Sequence, residues 1–588
     1  MITQMKKYTF LVFHRDYEPF LQQLRDLGVV HITQKATGLI ENDEALQAAL
    51  QHEDELRRLL KQGAPDQLLS EQATIKQRIE EAQTAAKQAA VWGEFDTARI
   101  QALKDAGYTL RFFVCATSAF KEEWGIAINT EGGKTYFVNV NNENYENYAD
   151  YATELPLPEK SEKQWLQEVE QLKGLLAAAD ARIEAWQKAN MEDLQKQLVE
   201  ARQNIDWQRV NLSTDKLAEG ALCLFEGFCP IDKEPELNDM LAKAQVYYEE
   251  TDPAQEDATP IKLRNNKFTQ LFEPLTGMYG WPNYNEFDPT PILAPFYLLF
   301  FGFCMGDGGY GIALIIFGLL TKYRKVNISM FEGLGDIITV LGVGTFVIGM
   351  LLGTFFGINL YEASWYPEAL KSCIIQGEIA GYNIQMLLAL AIGVFHICLA
   401  MVVKALCYTL QTGFKNNLSQ WGWALLIIGT IITVALSMLC ELPENVTKIT
   451  LIVIAAISAL GIYIFNTPGR NPLINIGAGL WDTYNMATGL IGDTLSYIRL
   501  FALGLAGGML GSAFNNLGMM IFGDGEGSVV GLVLKGIGAA AILLIGHVLN
   551  ILLSGLGAFV HPLRLTFVEY FKNAGYEGKG QMYQPFKK

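Results

Sequence analysis

From Pro291 to the C-terminus, apolar stretches of about 20 residues follow one another, the length at which a helix crosses the hydrocarbon core of a bilayer. They fall near residues 337–358, 384–408, 420–440, 447–466, 486–522 and 530–568. Backbone amides and carbonyls find no water in lipid, so each stretch is expected to satisfy them internally as a helix. The last two are longer than one straight crossing needs, and are expected to be strongly tilted or to extend beyond the lipid. A further run, Phe296–Leu320, is interrupted by Gly306-Asp-Gly-Gly-Tyr-Gly311. As one helix it would export Lys322, Arg324 and Lys325. As a hairpin of two short helices it returns them to the cytoplasm, as the positive-inside tendency favours. The hairpin also puts Lys404 and Lys415 inside. Glu362, Glu368, Glu441, Glu444, Asp524 and Glu526 then fall outside. The count is about eight crossings, with both termini cytoplasmic.

The charge of the chain divides at the same place. Residues 291–588 hold 15 Lys and Arg against 14 Asp and Glu, of totals of 45 and 62. Residues 1–290 therefore hold 30 and 48, a net of −18 against +1 for the remainder. An acidic, water-facing module argues against nucleic acid and anionic headgroups as its partners, and favours other proteins. The apolar run Tyr8–His14 is too short for a signal-peptide core and has no small-residue cleavage site, so the module is expected to stay in the cytoplasm. Eight cysteines without a C-x-x-C pair, four of them in apolar segments, read as buried thiols and not as a disulfide frame.

Within residues 1–290, Tyr8–His14, Tyr17–Leu27 and Val29–Thr33 read as strand, helix and strand. Leu46, Ala49, Leu56 and Leu60 fit a heptad seam with Glu53 as its polar gap. After the break at Gly63-Ala-Pro65 the seam resumes at Leu69, Ile75 and Ile79. A second such region carries Leu166, Val169, Leu172, Leu176, Ile183, Trp186, Leu194 and Leu198. The two regions, about 41–92 and 159–205, are expected to form the arms of an antiparallel coiled coil. Strand-like runs lie at Thr109–Cys115, Thr135–Val140 and Ala221–Phe228, with a short helix near Leu237–Ala244. The fold class expected is an α+β cytoplasmic domain (1–290) with long coiled-coil arms, followed by an all-α polytopic membrane domain (291–588).

Chemistry concentrates on two apolar helices. Arg499 sits inside the first, where a charge costs about 2.5–3.5 kcal/mol on insertion scales. Its helical neighbours three and four residues away are Leu495, Ser496, Ala502 and Leu503, none acidic, so its counter-charge must come from another helix or another chain. The same face carries Gly492, Ser496, Ala506 and Ala513, small enough for a second helix to approach. The bland alternative is an arginine that snorkels or pairs within this chain. On the last helix, His547, Asn550, Ser554, His561 and Arg564 recur at helical spacing as one polar stripe, with Glu569 beyond it. Such a stripe is expected to face protein or a water-filled cavity. Together these residues describe an ion-translocating device. A carboxylate on a moving partner pairs with Arg499, and two half-channels lead to it from either side. The arginine between them blocks a direct leak. Asp307, between Gly306 and Gly308, reads as a structural turn or helix cap ahead of a proton site.

Other sites fail. Gly133-Lys134-Thr135 has Ile128 where a phosphate-binding loop needs glycine. The six histidines show no zinc spacing. No cofactor or metal is expected, and no catalytic residue.

At these residues the chain resembles a known family. Asp493-Thr-Leu-Ser-Tyr-Ile-Arg-Leu-Phe-Ala-Leu-Gly-Leu-Ala506 is similar to the signature helix of the membrane stator subunit (subunit a or I) of V/A-type rotary ATPases. His561-Pro-Leu-Arg-Leu-Thr-Phe-Val-Glu569 and Tyr583-Gln-Pro-Phe586 resemble its C-terminal motif. Tyr279-Gly-Trp-Pro-Asn-Tyr-Asn-Glu-Phe-Asp-Pro-Thr-Pro291 and Phe301–Gly311 resemble its passage into the membrane. Met5-Lys-Lys and Gly28-Val-Val-His-Ile32 resemble its N-terminus. The resemblance implies that Arg499 faces the carboxylate of a rotating proteolipid ring (c/K), and that Arg564 is the second arginine of the final helix. It implies peripheral stalk subunits E and G and a central-stalk adaptor d/C as partners, with ATP hydrolysed elsewhere in the complex. The chain departs from the eukaryotic pattern at Gly507, where histidine is common, and at Ser554, where an acid is common. Its shortness suggests a prokaryotic member in the cell membrane. The competing readings are a stand-alone secondary transporter or channel with a coiled-coil regulator, and a membrane scaffold. No internal repeat supports the transporter.

Overall fold

The computed structural model describes residues 2–33, 43–141, 150–156, 159–218, 220–244, 246–254, 257–323, 334–379, 381–440, 443–466, 471–523 and 529–587. By internal contacts the chain forms two units, Thr33–Asp215, and Met1–Ile32 together with Lys216–Lys587.

In the first unit, helices Glu44–Gln62 and Asp66–Ala90 pack along the 52-residue helix Glu162–Ser213. Leu46 meets Ile205 at one end, and Ile79 and Ala82 meet Val169 and Leu172 at the other, so the pairing is antiparallel. The polar gap is filled by charge. Glu53 Oε1 lies 3.0 Å from Arg202 Nε and 3.1 Å from Arg57 Nη2. Leu166 is not in the seam. It is 52% exposed, and the larger apolar ring of Trp165 packs there beside Val169 and Leu172. The long helix also continues past 205, to Ser213.

The same unit holds an antiparallel sheet in the order Ile126–Glu131, Lys134–Val140, Leu110–Ala116, Ala152–Leu155. Only its two central strands were legible. The outer two are exposed on both faces, so they carry no alternation of apolar and polar residues.

The second unit opens with an antiparallel sheet in the order His31–Ile32, Leu222–Pro230, Met5–Phe13, Tyr247–Thr251. His14 starts the helix His14–Leu27 instead of ending the strand. The strand expected over Val29–Thr33 shrinks to two residues because the C-terminal tail takes the carbonyls before it. Phe586 N donates to Val30 O at 2.8 Å, and Tyr583 Oη donates to Val29 O. His31 Nδ1 meets the N–H and C=O of Gln584 at 3.2 and 2.9 Å. Burial lowers the His31 pKa, against a smaller opposing contribution from that backbone contact. A depressed folded pKa contributes stability above the ordinary imidazole pKa, and that stability is lost as pH falls toward the folded one. Hydrogen-exchange protection of the Tyr583 and Phe586 amides is therefore expected to fall on acidification. A His31→Asn variant is expected to lose that pH dependence, and equal pH dependence in both proteins would refute the role of His31.

Six helices of the second unit are long and apolar enough to cross a membrane: Gly335–Leu352, Ile384–Thr412, Phe414–Ser437, Glu444–Ile464, Leu473–Phe522 and Val533–Ala574. Two shorter apolar helices, Thr290–Met305 and Gly308–Lys322, precede them. Leu298 and Gly302 of the first lie against Gly344 and Ile348, so it runs parallel to Gly335–Leu352. Gly311 and Gly318 of the second lie against Phe346 and Thr339, so it runs antiparallel to that helix. The two short helices are therefore a hairpin. Gly306 turns it at φ +60°, a left-handed conformation that costs glycine little. Lys322 at the returning end pairs with Asp336 at 2.7 Å. Arg324, Lys325, Glu441, Asp524 and Glu526 lie outside the described residues.

The long span expected at 486–522 is two helices, Pro472–Ser496 and Ile498–Phe522, separated by Tyr497. The last helix, Val529–Arg564, runs on into a wider π-turn at Leu565–Tyr570. Pro562, which has no N–H to give to the ladder, lies just ahead of that turn.

Candidate functional site

Arg499 is the second residue after the break at Tyr497. Its side chain is half-buried, and its Nη1 is buried with no hydrogen-bond partner among the described residues. The acid nearest to it in sequence, Asp493, is engaged elsewhere. Asp493 accepts from Lys572 Nζ at 3.3 Å and from Asn573 Nδ2 at 2.8 Å. Further along the arginine helix, Ala502, Ala506 and Ala513 are exposed, and beside Gly492 nothing approaches within 4 Å of where a Cβ would stand. The small-residue face that carries Arg499 is uncovered.

The polar stripe of the last helix divides into two clusters. The lower one joins Arg499. The charges of Arg499 and Arg564 both act on His561, whose Nδ1 is buried and unpaired. Glu569, 2% exposed, lies within the field of Arg564, and its Oε2 has no partner among the described residues, the Ser496 hydroxyl donating instead to Gly492 O at 3.0 Å. Arg564 is exposed, whereas Arg499 is half-buried and forms no ion pair among the described residues, which leaves an uncompensated positive charge in an apolar span. A buried cation without a counter-charge is costly, and a carboxylate from outside the chain would relieve that cost.

The upper cluster is a closed hydrogen-bonded chain. Ser554 Oγ donates to Asn550 Oδ1 at 3.0 Å. Asn550 Nδ2 donates to Tyr310 Oη and to Gly507 O, both at 2.8 Å. Tyr310 Oη lies 2.9 Å from His547 Nδ1, and His547 Nε2 lies 3.1 Å from Asn515 Oδ1. Asn515 Nδ2 donates to Phe356 O at 2.7 Å. The amide oxygen of Asn515 can only accept, so Nε2 carries the ring proton and Nδ1 accepts from the phenol. Gly507 and Ser554, the two departures from the eukaryotic pattern, touch here. A Cβ on Gly507 would stand 2.9 Å from Ser554 Oγ. Removing the phenol hydroxyl with Tyr310→Phe is expected to cost about 1–3 kcal/mol, because His547 Nδ1 is left without a donor. A purified Tyr310→Phe protein that melts with the wild type would rule this out.

Asp307 is fully buried and caps the hairpin's second helix. Its carboxylate accepts from Gly309 N at 2.8 Å, Tyr310 N at 3.2 Å, Phe356 N at 2.7 Å and Gly357 N at 2.6 Å. It ties the turn Gly306–Gly308 to the loop that follows Leu352. Gly306 also touches the arginine helix, where its Cβ would stand 3.0 Å from Gly504 Cα. Beside this contact lies a cavity of about 450 Å³. The arginine-helix residues Gly504, Gly508 and Ser512 form one wall, and Asn359 and Glu378 of two short strands and Gln385 at the start of the helix Ile384–Thr412 line the rest.

Tyr310 and Asn515 were not singled out in the sequence. Asn515 carried a usable signal, an amide inside an apolar helix. Tyr310 did not, because its partners lie over 200 residues away. Among the described residues no cluster of His, Cys, Asp and Glu is arranged to hold a metal.

A family profile described as the V-type ATPase 116kDa subunit family matches residues 140–368 and 482–588, which include the hairpin turn, Arg499 and the lower cluster. The chain is 25% identical to the V-type ATP synthase subunit I of Borreliella burgdorferi over the full length of both, and 26% identical to subunit I 1 of Treponema pallidum, again over both full lengths. It is 31% identical to the A-type ATP synthase subunit I of Methanocaldococcus jannaschii over 60% of this chain and 53% of that protein. The chain thus matches about half the length of the A-type relatives and all of the two V-type ones. Six helices of membrane-crossing length make it a membrane protein, and with the profile covering more than half of its residues the chain belongs to the V-type ATPase 116kDa subunit family.

Proposed function

We propose that the chain is the non-catalytic stator subunit of the membrane sector of a V/A-type ATPase. In this reading Arg499 faces the carboxylates of a rotating proteolipid ring (c/K) and forces each to release its ion as it passes. The lower cluster of Ser496, His561, Arg564 and Glu569 lines the cytoplasmic path. The upper cluster of His547, Asn550 and Ser554, with the cavity beside Gly504, borders the outer one. Asp307, Gly306 and Gly308 are structural, holding the turn of the hairpin. A carboxylate crossing lipid must be neutral, because a bare charge there is expensive; beside Arg499 it ionises. Residues 291–588 form the ion-translocation domain, with about eight crossings of a prokaryotic cell membrane and both termini cytoplasmic. Residues 1–290, with a coiled coil as their long arm, dock on peripheral stalk subunits E and G and a central-stalk adaptor d/C. ATP is made or hydrolysed elsewhere in the complex.

The observation that carries this reading is the unpaired guanidinium nitrogen of Arg499 on an uncovered face of small residues. The test is ATP-driven cation uptake into membrane vesicles, with co-purification of the chain's partners. Uptake that requires a nucleotide-hydrolysing complex containing a small proteolipid supports the stator. Uptake by the chain reconstituted alone would instead identify a transporter.

A further inference from the structure

His396 lies within the helix Ile384–Thr412 and is fully buried. Its ring is held between two others. Phe296 stacks at a centroid distance of 4.2 Å, and Tyr570 stacks at 4.4 Å and 10°. Phe300 meets its edge at 5.2 Å. Nδ1 lies 2.9 Å from Tyr497 Oη, while Nε2 has no partner among the described residues. The phenol has one proton and no other hydrogen-bond acceptor among the described residues, so it donates to Nδ1.

Tyr497 is the residue at which the long span breaks, two positions before Arg499. The regular ladder lapses there. Tyr497 N bonds to Thr494 O at 3.2 Å and Leu500 N to Tyr497 O at 3.1 Å, both of them tight i−3 bonds. The Tyr497 side chain is packed so closely on Gly393 that a Cβ there would stand 2.3 Å from the ring. The same histidine also stacks on Tyr570, the neighbour of Glu569 in the π-turn of the last helix. One imidazole therefore joins the hairpin, the break before Arg499 and the helix that carries Arg564.

We infer that His396 is a positioning residue for Arg499. Its hydrogen bond pins Tyr497, and so fixes the rotation of the arginine helix at a joint that its own backbone leaves weak. Each helical residue subtends roughly 100°, so a slip of one position at the break would turn the guanidinium away from its face. This rests on the proposed role of Arg499. The aromatic stack supplies packing, and the hydrogen bond supplies direction.

The test compares variants in the purified complex reconstituted in vesicles, reading cations taken up per ATP hydrolysed. His396→Phe keeps a ring in the stack and removes the acceptor. Tyr497→Phe removes the donor and leaves every ring in place. His396→Asn sets an amide oxygen where Nδ1 stood. Both phenylalanine variants are expected to assemble and to lower the ratio on the order of three- to tenfold, the scale of one buried hydrogen bond. The double variant is expected to be no worse than either single, because the two remove one interaction. His396→Asn is expected to recover part of the loss. A wild-type ratio in both single variants, additive losses in the double, or failure of both singles to assemble would overturn the inference. Arg499→Ala run in parallel separates the two levels. If it abolishes uptake while the phenylalanine variants behave as wild type, only the positioning role falls. If it transports normally, the reading beneath it falls.

Discussion

Arg499→Ala is expected to reduce ATP-driven cation uptake to the level of vesicles without ATP while the complex still purifies whole. The arginine is half-buried in an apolar span, its Nη1 has no partner among the described residues, and Asp493 already binds Lys572 and Asn573. Its charge does little for this chain and is available to another. Breaking a buried pair from one side costs about 3–5 kcal/mol, which in a rate is a loss of on the order of 100-fold or more. Arg499→Lys keeps the charge but replaces a planar fork with a point ammonium, so it is expected to retain a small fraction of uptake. The arginine is half-buried beside the exposed Ala502 and Ala506, so the alanine variant is expected to fold and assemble. Wild-type uptake by an assembled Arg499→Ala complex would refute its role.

Asp307→Ala is expected to act in the opposite way, removing the folded membrane domain before transport can be measured. Four backbone amides converge on that carboxylate, two from the helix it caps and two from Phe356 and Gly357. A fully buried donor left unpaired costs about 1–3 kcal/mol, so the sum approaches the whole stability of a typical domain. Asp307→Asn discriminates further. An asparagine oxygen can keep the three bonds made by Oδ1, but its NH₂ then faces the Gly357 N–H, donor against donor. The expected result is poor accumulation in the membrane and a lowered melting temperature for the asparagine variant. An Asp307→Asn protein that folds normally and fails only in transport would mark Asp307 as a proton carrier.

The sequence made some of this legible and hid the rest for physical reasons. Patterns that a single helix imposes were readable. Leu46, Ile79, Val169 and Leu172 do meet partners across paired helices, and the first apolar helix begins at Thr290. Glu53 looked like a flaw in the seam until Arg202, 149 positions away, supplied its partner. Leu166 and Trp165 sit one position apart, and only packing decides which faces inward. The stripe on the last helix was visible by spacing. Its division was not, because Tyr310, Asn515 and Gly507 come from other segments. Nor was the break at Tyr497, which lacks a proline or glycine to announce it. Gly393, His396 and Phe300 hold the tyrosine there from two other helices.

The most direct test of the central claim is photo-crosslinking from Ala506, two turns beyond Arg499 on the same uncovered face, with a photoreactive side chain at that position in the working complex. The predicted adduct joins this chain to a small apolar multi-copy membrane protein, and its yield falls when that protein's buried carboxylate is blocked. Adducts confined to lipid or to this chain's own helices would mean that no ring passes Arg499.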